Sequence, residues 1–70
     1  MTAEHSEELL TTPEAARLLT LSPRTLERHR LAGTGPRYAA LGRAIRYRRR
    51  DVLAFIEEHL RESTSESRRD

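Results

Sequence analysis

The chain has no cysteine and no tryptophan, and it has only 3 glycines, 3 prolines, 2 tyrosines and 1 phenylalanine. Lysine, asparagine and glutamine are missing as well. Without cysteine there is neither a disulfide framework nor a thiolate metal site, which fits a reducing cytosol. No apolar run approaches the ~20 residues of a transmembrane helix. The opening MTAEHSEE is acidic and polar, unlike a secretory signal. Seventy residues (8.1 kDa) make one small domain. A chain of this size buries roughly 60% of its unfolded surface, so its core is thin and its stability marginal. A large enzyme with a deep cleft and a lid is excluded.

What is present is arginine: all 13 basic residues are of this type. The net charge of +2 hides a strong segregation. Residues 1–16 carry −4, residues 17–50 carry +9 and residues 51–70 carry −3. A polycation in the middle of the chain points to a polyanionic partner. Absence of lysine alone has two readings, the arginine-favouring codons of a GC-rich genome and selection for DNA contact.

Residues 1–8 lack periodicity and read as a disordered tail. Leu9-Leu10 is a short lead-in over the core. A helix follows from about residue 13 to 19. Its start is either Thr12 as N-cap with Pro13 in the first position, or a capping box of Thr11 with Glu14. Ala15, Leu18 and Leu19 face inward, and Glu14 and Arg17 face outward. Ser22-Pro23 repeats the cap-then-proline signature and opens a second helix from 23 to 32, stopped by Gly33. At 100° per residue, Leu26, His29 and Arg30 lie on its inner arc, and Arg24, Arg28 and Leu31 lie opposite.

Gly33-Thr34-Gly35-Pro36 is a turn. Residues 37–41 and 44–48 then read as two strands joined by Gly42-Arg43, a two-residue loop suited to type II′. This register pairs Ala40 with Ile45 and Tyr38 with Tyr47. It sets Tyr38, Ala40, Ile45 and Tyr47 on one face and Arg37, Arg46 and Arg48 on the other. A third helix is expected over 49–61, with Val52, Leu53, Phe55, Ile56, His59 and Leu60 inward, Asp51 in its first turn and Glu57 able to pair with Arg61. Residues 62–70 read as a second disordered tail. The fold class is therefore mainly α with a small β-hairpin wing. It is a winged helix-turn-helix of three helices and a two-stranded hairpin over residues 9–61, with its second helix placed to enter a major groove.

The pieces LLTTPEAARLL, LSPRTLERHR, GTGPRY, LGRAIRY and DVLAFI, in this order and spacing, resemble the small excisionase and AlpA-type helix-turn-helix proteins, a branch of the MerR-like winged helices. The resemblance covers Leu9–Leu60. It implies that Ser22, Arg24, Thr25 and Arg28 contact DNA from the second helix, and Arg43 and Arg46 from the wing. The charge map adds Arg17, Arg37 and Arg48 to the candidate DNA-binding residues. Thr20 departs from the family, where glycine is frequent. A β-branched residue resists positive φ, so the connector is either strained or differently turned. His29 stands where an aromatic residue is common.

The missing amides narrow the recognition chemistry. Adenine is read mostly by asparagine or glutamine, so direct readout here falls to Arg24 or Arg28 on guanine, with DNA shape supplying the rest through wing arginines in a narrow, A/T-rich minor groove. His5, His29 and His59 have no ligand spacing, and no metal or other cofactor is expected. His29 and His59 read as core-edge side chains. Gly33-Thr34-Gly35 is not a dinucleotide fingerprint, because Tyr38 occupies the third glycine position. No serine, histidine and aspartate form a triad, so no enzyme activity is expected, and neither a small-molecule ligand nor a membrane is an expected partner.

The resemblance, with a bare winged helix that carries no dimerisation helix, implies an excisionase (a recombination directionality factor) of a bacterial mobile element. The expected partners are double-stranded DNA, a tyrosine recombinase (integrase) and neighbouring copies of the chain on DNA, in the cytoplasm. The alternatives are an AlpA-like transcriptional regulator of integrase or transfer genes, and a basic adaptor that binds an acidic protein.

Overall fold

The computed structural model describes residues 7–61. The tails expected at 1–8 and 62–70 therefore fall largely outside the described residues, and so does His5. The described chain runs β1 (Leu9–Leu10), α1 (Thr12–Leu19), α2 (Pro23–Ala32), β2 (Ala39–Leu41), β3 (Ala44–Arg48) and α3 (Arg49–Glu58). Three helices and an antiparallel hairpin wing give the winged helix-turn-helix.

Each helix boundary has a local cause. At the start of α1 the capping box is the one formed. The Thr11 amide donates to Glu14 Oε1 at 2.9 Å, and the Glu14 amide donates to Thr11 Oγ1 at 3.3 Å. Ser22 caps α2 by accepting from the Thr25 amide at 3.1 Å, and its hydroxyl donates to Thr25 Oγ1 at 2.9 Å.

The ends of α1 and α2 share one motif. After α2 the Gly33 amide donates to the Arg30 carbonyl at 3.1 Å and the Thr34 amide to the His29 carbonyl at 2.9 Å. After α1 the Thr20 amide donates to Arg17 at 3.0 Å and the Leu21 amide to Ala16 at 2.9 Å. Both are Schellman ends, which require one left-handed residue. Gly33 supplies it with φ +75° and Thr20 with φ +59°. The connector is thus strained rather than differently turned, since the two orphan carbonyls of α1 are satisfied only if Thr20 accepts a conformation its Cβ opposes. Thr20→Gly is expected to stabilise the domain by about 0.5–1 kcal/mol, the relief of strain outweighing the entropy glycine adds to the unfolded chain. Thermal denaturation followed by circular dichroism checks this, and a lowered Tm would show that the Thr20 hydroxyl, which donates to the Leu19 carbonyl, matters more.

The core consists of Leu10, Ala15, Ala16, Leu26, Tyr47 and Val52, with Leu18, Leu19 and Ile45 packed at its edge. α1 is the hub and touches α2, α3, β1 and β3. Its two fully buried positions are alanines, which lets the neighbouring elements approach closely. Tyr47 is the largest buried side chain, and its hydroxyl has no hydrogen-bond partner among the described residues.

The hairpin has the expected register, with Ala39↔Arg46, Ala40↔Ile45 and Leu41↔Ala44. Gly42 alone of the two loop residues has a positive φ, as type II′ requires. Tyr38 and Tyr47 lie on one side with ring centroids 6.1 Å apart.

Several features differ from the sequence expectation, and the first strand of the hairpin, expected over 37–41, begins only at Ala39. Leu9-Leu10 is a strand that pairs antiparallel with β3 (Leu9↔Arg48, Leu10↔Tyr47), so the sheet has three strands in the order β1-β3-β2. α3 stops at Glu58 rather than at residue 61, closed by hydrogen bonds from the His59 amide to Ile56 and from the Leu60 amide to Glu57. Leu53, His59 and Leu60, expected inward, are exposed, because α3 packs mainly on α1 and β3 and a narrow stripe suffices. Among the described residues Glu57 and Arg61 make no ion pair.

Candidate nucleic-acid interface

The second helix of the motif presents the expected outer face. Arg24, Arg28 and Leu31 are exposed, whereas Leu26 beneath them is fully buried. This opposition follows from the helical period alone. Thr25 is half-buried and, with Ser22, occupied in the cap, so these two hydroxyls sit at the N-terminus of α2 in fixed positions.

The wing is held against α2 by an aromatic link. The Arg30 guanidinium lies over the Tyr38 ring, 5.8 Å from its centroid, and Tyr38 meets Tyr47 in turn. Arg30 also approaches Glu27 at 4.0 Å. Its inward position therefore has a job: it couples the helix that carries Arg24 and Arg28 to the hairpin that carries Arg37, Arg43 and Arg46.

The arginines divide by their partners. Among the described residues Arg17, Arg24, Arg28, Arg37, Arg43 and Arg46 make no ion pair, and all belong to the expected contact set. Arg37 and Arg43 are exposed on the wing. Arg46 is half-buried and donates from Nη1 to the Ile45 carbonyl at 2.8 Å, so its stem lies along its own strand. Arg17 stands on the outer side of α1.

Arg48 behaves differently from the rest of that set. Its Nε donates to Asp51 Oδ2 at 2.8 Å and its Nη2 to Asp51 Oδ1 at 3.4 Å. This hydrogen bond, together with the aspartate's charge, raises the Arg48 pKa above its ordinary value. The fork that would grip a phosphate is already filled, and the pair ties the end of β3 to the first turn of α3. Sequence reading put Arg48 with the free wing arginines because strand alternation places it on the face of Arg46. The competing carboxylate comes from the next element.

Arg49 and Arg50, which sequence reasoning left out, also have acidic partners. Arg49 Nη1 lies 3.7 Å from Glu8 Oε1, and Arg50 Nη2 pairs with Glu7 Oε2. The Arg49 amide donates to the Glu8 carbonyl at 2.9 Å. Glu7 and Glu8, expected in the tail, are held by α3. The run Arg48-Arg49-Arg50 was the available signal, since three cations at a helix N-terminus oppose the macrodipole and require compensation.

Two concavities complete the surface. A cleft of about 560 Å³ between α1 and the start of α3 has Arg17 and Arg49 on its walls, with Glu8 and Glu14. A shallower apolar groove of about 470 Å³ is lined by Leu21, Phe55, Ile56 and Leu60, with His29 and His59 at its edge. His29 Nδ1 lies 2.8 Å from Thr34 Oγ1, and His59 Nδ1 lies 2.8 Å from the Phe55 carbonyl, so both rings are engaged locally. No helix among the described residues is long and apolar enough to cross a membrane.

A capped second helix with an outward basic face, joined to a basic wing through the Arg30–Tyr38 contact, defines a DNA-binding domain. Residues 9–60 match the model of the helix-turn-helix domain family, so the chain belongs to this family of excisionase and AlpA-type small DNA-binding proteins. No curated protein matches the chain.

Proposed function

We propose that residues 9–61 form the DNA-binding unit of an excisionase, which binds and bends attachment-site DNA so that a tyrosine recombinase excises the element. One observation carries this reading. The arginines without ion-pair partners among the described residues lie mainly on the outer face of α2 and on the wing, while acids occupy the other arginines. In this reading Arg24 and Arg28 enter the major groove with Ser22 and Thr25 at the helix N-terminus, and Arg37, Arg43 and Arg46 follow the backbone or an A/T-rich minor groove. Arg17 adds a phosphate contact from α1. A surface this small covers few base pairs, so neighbouring copies on adjacent sites supply the occupancy that one copy lacks.

Adding the protein to integrase and attachment-site DNA is expected to raise the yield of excised product, with footprints repeated at a regular spacing beside the attachment site. No change in yield would overturn the excision role. The family also includes AlpA-type proteins, so a regulator of integrase or transfer genes is the second reading. It predicts one isolated footprint at a promoter and a change in reporter output without integrase.

A further inference from the structure

We propose that Glu7 and Glu8 form an intramolecular latch on Arg50 and Arg49, withholding two guanidinium groups from DNA phosphates on non-specific duplex. The inference rests on the DNA-binding reading above and adds a regulatory contact to it.

The latch follows from the sheet register. β1 pairs Leu10 with Tyr47 and Leu9 with Arg48. The ladder ends there, because Arg49 opens α3, and Glu7 and Glu8 lie just beyond its end beside the first turn of that helix. The main-chain bond from the Arg49 amide to the Glu8 carbonyl holds that alignment. The main-chain bond thus brings Glu8 beside Arg49 where β3 gives way to α3, and Glu7, one residue earlier, pairs with Arg50 in the first turn of the helix.

The three consecutive arginines differ in how firmly they are held. Asp51, largely buried, grips Arg48 with two hydrogen bonds inside one turn. The Glu7–Arg50 and Glu8–Arg49 pairs have both partners substantially exposed. Exposed pairs are weak and salt-screened, and a phosphate oxygen can replace a carboxylate as acceptor. Arg48 is therefore a fixed structural pair, and Arg49 and Arg50 are exchangeable ones. Arg49 also shares its cleft with Arg17, so displacement of Glu8 would create a two-arginine surface there. While the latch is closed, the number of phosphates the domain neutralises is reduced, and with it the sequence-independent part of its affinity.

The test uses the full chain and a random-sequence duplex, with binding measured across a salt series. Glu7→Gln with Glu8→Gln is expected to tighten binding on the order of tenfold at about 0.1 M salt and to steepen the slope of log K against log salt by about 1–2. Adding Arg49→Gln and Arg50→Gln to that variant is expected to cancel both changes. Glu57→Gln with Glu58→Gln alters the net charge equally at the far end of α3 and is expected to leave the slope at the wild-type value. An unchanged slope, or the same change in the Glu57/Glu58 control, would overturn the latch. The single-pair version, Glu7→Gln with and without Arg50→Gln, leaves the Glu8–Arg49 pair intact and reads the same way at about half the amplitude. If the wild-type chain itself binds no duplex, the DNA-binding reading fails first, and the latch falls with it.

Discussion

Alanine at both Arg24 and Arg28 is expected to weaken binding to the specific duplex by about 100-fold or more, since one bidentate arginine–guanine contact is worth about 1–3 kcal/mol. The fold should survive, because both side chains are exposed and without ion-pair partners among the described residues, and alanine favours the helix. Selection of binding sites from a random duplex pool separates two roles for these arginines. If they read guanine, the variant loses the preference at those positions. If they only hold phosphates, affinity drops uniformly and the salt slope becomes shallower by about 1 per arginine. An unchanged preference would remove base reading from this helix face. The missing asparagine and glutamine make the result informative, because no amide side chain is available to substitute in reading a base.

Leu26→Ala is expected to abolish cooperative folding at 25 °C. Truncating a fully buried leucine costs about 2–5 kcal/mol, and a core in a domain of this size supplies little more than about 3–5 kcal/mol in total. Leu31→Ala is the control. It lies on the same helix and has the same chemistry, but is 79% exposed, so its thermal transition should stay within a few degrees of the wild type. The pair tests the orientation of α2 independently of any DNA. A folded Leu26→Ala with a near-normal Tm would mean that α2 is rotated from the position described.

The reliable parts of the sequence reading were those in which a residue's neighbours within a few positions decide its conformation. Ser22-Pro23 and Gly33 bound α2 at the residues expected, and Gly42 fixed the hairpin register. The outward face of α2 followed from a rotation of 100° per residue. Thr20 was the instructive case. Sequence showed a residue unsuited to a left-handed position but left two outcomes open. Only the hydrogen bonds from Thr20 and Leu21 back to Arg17 and Ala16 show that the helix end won over the side chain.

The parts that were not readable depend on how elements meet, mostly through partners distant in sequence and, for Arg48, through a carboxylate three residues on in the next element. Two residues, Leu9 and Leu10, are too short to display a strand period, and their strand exists because β3 offers an unpaired edge. Leu53 has an inward phase in the helical pattern yet is 43% exposed, because α3 packs mainly on α1 and β3 through a narrower stripe. Arg48, Arg49 and Arg50 look like the other wing arginines in sequence. Their carboxylate partners come from Asp51 in the next element and from Glu8 and Glu7 at the other end of the chain.

The charge pattern and the punctuation of the sequence by themselves determined the class of fold, the place of its second helix and wing, and the sign of its partner. They did so because capping, helical period and turn chemistry are local, and because charge is additive along the chain. Which arginines remain open to DNA was decided only by the tertiary structure. That choice depends on where Glu7 and Glu8, just before β1, lie against α3, and on a 2.8 Å bond from Arg48 to Asp51 formed where β3 turns into α3.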